Sequence, residues 1–172
     1  MKCLILAAGK GSRLWQRGNT KPLVRLLGVP LIERTIRSAI DAGVDEFFVV
    51  TGYNGDQVRR FLDDLVLHCG ATISHLVNDE WEEGNGLSVE TASEHLREPF
   101  LLLMANHLFD PSILRDLIAH QSAEGCPTGS GRPTGTEITL AVDRNTANPL
   151  VDMNDVTRVR CENGRVLDIG KG

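Results

Sequence analysis

No stretch of this chain stays apolar for the roughly 18–20 residues that cross a bilayer, so the sequence offers no membrane-spanning helix. The N-terminus lacks the long apolar core of a secretory leader, because glycines and Lys10 interrupt the first hydrophobic run. There is no run of basic residues, and the formal net charge is −5, which argues against non-specific nucleic-acid binding. Cysteine is scarce and scattered. Cys3, Cys69, Cys126 and Cys161 form no CxxC pair, which argues against a zinc knuckle and for reduced thiols in a cytoplasmic protein. The 172 residues, 41% of them hydrophobic, suffice for one domain with a sizeable core.

Local patterns predict alternating strands and helices. Lys2–Ala7 reads as a strand. Pro30 stands at a helix start, and Leu31-Ile32, Thr35-Ile36 and Ala39-Ile40 recur at helical spacing up to Ala42-Gly43. Glu46–Val50 reads as a second strand, followed by a helix that Asp56 would cap and that carries Val58, Phe61, Leu62 and Leu65 on one face. Ala71–Val77 reads as a strand, Leu87–Leu96 as a helix and Phe100–Met104 as a strand. Asp110-Pro111 is a cap and first-turn proline for a helix reaching about His120.

From Gln121 to Thr136 the composition shifts to Gly, Pro, Ser and Thr, predicting a flexible loop that is an idle excursion or a lid. Glu137–Val142 reads as a strand. Thr157–Cys161 and Arg165–Ile169 flank Glu162-Asn163-Gly164, a hairpin signal. Continuous apolar strands alternating with helices predict an α/β, Rossmann-like three-layer αβα fold with a mostly parallel, mixed sheet. Ligands of such sheets bind at the carboxyl ends of the strands.

The richest segment is Leu4–Leu23, LILAAGKGSRLWQRGNTKPL. A strand enters a turn at Ala8-Gly9-Lys10-Gly11-Ser12-Arg13, and Lys21-Pro22 follows. Such a turn points backbone N–H groups at an anion, and Arg13 and Lys21 add a fork of donors and a point charge. The dinucleotide fingerprint fails because Leu14 stands where its third glycine belongs, and the P-loop spacing is absent. The remaining reading is a site for a nucleoside triphosphate.

LAAGKGSRL followed by TKPL resembles the signature of the nucleotidyltransferases that activate sugar phosphates. The resemblance is strongest to inositol-1-phosphate cytidylyltransferases, with molybdopterin guanylyltransferase-like domains more distant. It implies transfer of a cytidylyl group from CTP to inositol 1-phosphate or a related polyol phosphate, with release of pyrophosphate and Mg2+ as cofactor. Guanylyl or uridylyl transfer to a sugar phosphate is the alternative within the same chemistry. It further implies catalytic roles for Arg13 and Lys21. Nucleotide contacts fall on Leu6, Ala7, Ala8, Gly9, Lys10, Gly11 and Ser12, and on Asn78, Gly84, Asn85 and Ser88 of a second stretch, in which Trp81 reads as packing.

At the end of the Phe100–Met104 strand, Asn106 occupies the place of the family's magnesium-binding aspartate. An amide oxygen coordinates but brings no charge. Three readings stay open: an engineered substitution, a divergence compensated by a nearby carboxylate, or a catalytically impaired nucleotide-binding domain. His107, Thr157, Arg158 and Lys171 are the implied acceptor-binding residues. The resemblance also implies that a domain spanning residues 1–172 is incomplete at its C-terminus. A membrane phosphotransferase domain is then expected beyond this chain, with membrane association of the longer protein.

Overall fold

A computed structural model describes residues 1–11, 20–123, 138–149, 151–152 and 156–171. The chain divides into a larger unit, Met1–His120, and a smaller one, Gln121–Gly172.

The larger unit opens with strand β1, Lys2–Ala7. After the short 3-10 turn Lys21–Leu23, the two-residue strands β2 (Arg25–Leu26) and β3 (Val29–Pro30) form a small antiparallel ribbon. Helix α1 (Leu31–Asp41), strand β4 (Glu46–Thr51), helix α2 (Gly55–Cys69) and strand β5 (Thr72–Val77) follow. A second 3-10 turn, Trp81–Glu83, leads to helix α3 (Asn85–Glu90), strand β6 (Phe100–Met104) and helix α4 (Pro111–Ala123).

Strands β5, β4, β1 and β6 lie side by side in that order, and every pairing is parallel. The central strands β1 and β4 carry continuous apolar runs because both of their faces are covered, whereas the edge strands β5 and β6 are only partly buried. Cys3, Ile5 and Ala7 of β1 and Phe47 and Val49 of β4 pack against Ile32 and Ile36 of α1, Val58 and Leu62 of α2 and Leu114 of α4. On the opposite face Leu4, Leu6, Phe48 and Val50 meet Ala92 and Leu96. Full burial of a side chain such as Phe47 or Ile36 is worth roughly 1.5–3 kcal/mol. This is a Rossmann-like α/β fold. Its antiparallel pairs sit in ribbons separate from the parallel sheet.

Three sequence expectations are corrected. The helix foreseen at Leu87–Leu96 ends at Glu90. Beyond it, Ala92, Ser93 and His95 donate three residues back, tightening the chain into successive turns, and the Thr91 hydroxyl bonds the Leu87 carbonyl. Ala92 and Leu96 still reach the core. Asp56 does not cap α2. Asn54 precedes the helix with a φ of 51°, and Asp56 sits in the first turn beside Arg59. The described part of the expected Glu137–Val142 strand, residues 138–142, has no ladder partner among the described residues, and Ile138, Leu140 and Val142 are exposed. A strand needs the pairing as much as the alternation.

In the smaller unit, strands β7 (Thr157–Glu162) and β8 (Arg165–Lys171) form the expected hairpin. Asn163 and Gly164, at φ 51° and 78°, supply the two left-handed residues of a tight turn. Most of the expected 121–136 loop falls outside the described residues; α4 continues to Ala123.

Candidate active site

All four strands of the central sheet point the same way, so the segments that follow them share one edge. Those segments are Ala8–Gly11 after β1, Gly52–Asn54 after β4, Asn78–Glu80 after β5 and Ala105–His107 after β6. Hydrogen bonds join them beyond the strands. The Tyr53 amide donates to the Ala8 carbonyl at 2.9 Å, the Ala105 amide to Leu6 at 3.1 Å, and the Asn78 amide to Thr51 at 2.8 Å. The chain proceeds from β1 to β4 on one side and reaches β6 on the other. Strand order therefore reverses beside β1, the place where open parallel sheets bind their ligands.

Gly11 and Lys21 meet there. Gly11 adopts φ +66°, and a β-carbon on it would stand 2.5 Å from Cβ and 2.5 Å from Cδ of Lys21. Only glycine allows the turn to lie against that aliphatic stem. Lys21 opens a 3-10 turn with Pro22 behind it, closed by bonds from Leu23 to Thr20 and from Val24 to Lys21. Its ammonium charge also reaches the end of β6. The His107 imidazole is held below its ordinary pKa, first by desolvation and then by Lys21. The His107 carbonyl accepts from the buried Thr35 hydroxyl of α1 at 3.1 Å. Asn106, half-buried, lies between Ala105 and His107 in this turn.

The second stretch borders the same edge. A β-carbon on Gly52 would strike Trp81, whose ring meets Tyr53 edge-on at 5.3 Å. Trp81 packs on the core face of Leu4 and Leu6, in agreement with a packing role. Lys10 lies 5.4 Å over the Tyr53 ring, within cation–π range. Asn78 and Ser88 are both buried. The Asn78 amide nitrogen donates to Ser88 Oγ at 3.0 Å, and its oxygen accepts from the Glu80 amide. Gly84, at φ 106°, turns the chain into α3, and Asn85 is exposed as the first residue of that helix. Asp79, Glu80, Glu82 and Glu83 with Trp81 and Leu87 line an open hollow of about 600 Å³.

The larger unit thus gathers Leu6 to Gly11, Lys21, Asn106 and His107 with the Asn78–Ser88 stretch along one sheet edge. Ser12 and Arg13 lie outside the described residues. Thr157, Arg158 and Lys171 are exposed on the ribbon of the smaller unit, with Thr157 paired directly to Lys171. Sequence reasoning missed Thr20, Thr35, Tyr53, Asn54 and Gln57, because their roles come from contacts distant in sequence. For Thr20 its place before Lys21-Pro22 was the available signal.

Of the described residues, the turn after β6 offers Asn106, an amide, where the family has a carboxylate. Among the described residues no three His, Cys, Asp or Glu side chains come together. Asp110, near Asn106, spends Oδ1 on the Ser112 amide at 2.8 Å, a cap that holds its carboxyl below the usual range.

A parallel sheet with a glycine turn and a lysine at its switch point is the architecture of a catalytic nucleotidyltransferase domain. The chain belongs to the MobA-like NTP transferase domain family, whose model matches residues 3–158. It is 35% identical over 171 residues to a bifunctional IPC transferase and DIPP synthase of Rubrobacter xylanophilus, covering 97% of this chain and 34% of that protein. To the protein of the same name from Archaeoglobus fulgidus it is 34% identical over 171 residues, covering 99% of this chain and 30% of that one. It thus spans about a third of the length of these curated relatives. In fold it is similar to the inositol-1-phosphate CTP transferase from T. maritima, with a TM-score of 0.77 at 24% identity over 99% of this chain and 63% of that one.

Proposed function

We propose that this domain transfers a cytidylyl group from CTP to inositol 1-phosphate or a closely related polyol phosphate. The observation that carries the chemistry is the seating of Lys21 against Gly11 at the carboxyl end of β1, with its charge reaching the end of β6. The acceptor and the base are supported by the relatives named above and by Asn85 at the exposed start of α3.

A phosphate monoester is anionic near neutral pH and needs no strong base. Its oxygen attacks the α-phosphorus, and the bond to pyrophosphate breaks. Alignment and positive charge are what the protein supplies. In this reading Gly9, Lys10 and Gly11 offer amides to the triphosphate, and Lys21 neutralises charge at the α-phosphoryl oxygens.

The purified protein is expected to release pyrophosphate from CTP only when inositol 1-phosphate is supplied. Equal use of UTP or GTP would reassign the base, and indifference to the acceptor would reject the transfer. A second reading rests on Asn106, which leaves the β6 end without the expected carboxylate. There the domain binds nucleotide and turns it over poorly. Calorimetry showing CTP binding with no pyrophosphate release, even in Asn106→Asp, would favour it.

A further inference from the structure

Thr20 immediately precedes the 3-10 turn that carries Lys21. A threonine in that place ordinarily caps the turn behind it. Here it makes no such bond, although its carbonyl accepts from Leu23 and closes the turn. The side chain is 3% exposed and points elsewhere. Its hydroxyl donates to Gln57 Oε1 at 3.1 Å and accepts from Asn54 Nδ2 at 3.4 Å.

Asn54 lies in the connection between β4 and α2 and Gln57 in the first turn of α2, and the two are bonded together. Gly55 donates to Gly52, and Gln57 to Asn54. The same connection grips the glycine turn, since the Tyr53 amide bonds the Ala8 carbonyl at 2.9 Å. One short segment, Gly52–Gln57, therefore holds both partners of the phosphate site. It fixes Ala8–Gly11 through Tyr53 and the Lys21 turn through Thr20.

We propose that Thr20 and Gln57 are positioning residues for Lys21, setting its aliphatic stem against the glycine turn through a buried hydroxyl braced on α2. The catalytic consequence rests on the nucleotidyl-transfer reading above, whereas the brace itself does not. Valine keeps the shape of Thr20 and deletes its bonds. A reacting group displaced by about 1 Å can lose about 100-fold in rate.

The test uses pyrophosphate-release kinetics of the purified protein together with hydrogen exchange followed by mass spectrometry. Thr20→Val is expected to lower kcat about 10- to 100-fold while the KM for the triphosphate stays within about twofold. Thr20→Ser should restore most of the rate. Gln57→Leu, at an exposed position that tolerates leucine, should repeat the loss if Thr20→Val folds poorly. In a Lys21→Ala background Thr20→Val should change kcat by less than about twofold, because the group it positions is gone. Exchange at the Leu23 and Val24 amides should quicken in Thr20→Val and not in Thr20→Ser, with β1 and β4 unaffected.

Unchanged kcat, a loss confined to KM, additivity with Lys21→Ala, or unaltered exchange at Leu23 and Val24 would each overturn the proposal. If the unsubstituted protein releases pyrophosphate from no triphosphate, the functional reading fails, and the exchange measurement alone decides the brace.

Discussion

Gly11 and Lys21 are packed so closely that one defines what the other can be. A β-carbon on Gly11 would lie 2.5 Å from the lysine stem, and the glycine backbone sits at φ +66°. Gly11→Ala therefore meets both a steric and a conformational penalty, the latter on the order of 1–2 kcal/mol. The expected outcome is a rate of pyrophosphate release lower by about tenfold or more, with a modest fall in the urea midpoint. Full activity in this variant would show that the turn need not touch Lys21.

In the proposed reaction Lys21 is the residue whose charge matters most. Lys21→Ala should weaken transition-state stabilisation by about 2–4 kcal/mol while changing nucleotide affinity much less. Lys21→Arg should rescue only in part, since a planar fork does not replace a compact ammonium. Steady-state kinetics beside calorimetric CTP affinity separate the two effects. An unchanged kcat in Lys21→Ala would remove the assigned role.

Asn106 stands at the end of β6 where a carboxylate is expected. Asn106→Asp adds a negative charge and a stronger oxygen donor. In the presence of Mg2+ it should raise the rate about 10- to 100-fold and lower the magnesium concentration needed for half-maximal activity. A rate unmoved across a magnesium titration would mean that this position does not govern metal use.

The buried pair Asn78 and Ser88 is a stability feature in its own right. Ser88→Ala leaves the Asn78 amide with an unpaired buried hydrogen, and Asn78→Ala also strips the Glu80 amide of its acceptor. Each should cost about 1–3 kcal/mol in urea unfolding, and the double variant should cost less than the sum. Additive effects would show that the two side chains act separately.

Burial pushes the Cys3 thiol up to about 12, so the folded protein keeps it protonated where an unfolded chain has begun to ionise. Above pH 9 the unfolded state binds fewer protons than the native one, and stability should fall as pH rises from there towards 12. At pH 8 iodoacetamide should label the exposed Cys161 well before Cys3, read peptide by peptide in the mass spectrometer. Fast labelling of Cys3 in the folded protein would contradict its burial in β1.

What the sequence determined by itself was local or periodic. Lys2–Ala7 and Phe100–Met104 announce strands through apolar runs, and both form at those bounds, the first buried and the second a partly exposed edge. Asp110-Pro111 caps α4 as read, and Asn163-Gly164 turns the hairpin, because caps and tight turns depend on a few adjacent backbone angles. Gly9, Gly11 and Lys21 marked a candidate phosphate site through residue type and spacing.

Tertiary structure decided which groups meet. Thr20 finds Gln57 across 37 residues, and Thr35 finds the His107 carbonyl across 72, because parallel crossovers bring distant strand ends to one edge. It also withdrew helix from residues 91–96 and strand from 138–142. Neither outcome is written in a hydrophobic period, since both depend on which hydrogen-bond partner is within reach once the chain has folded.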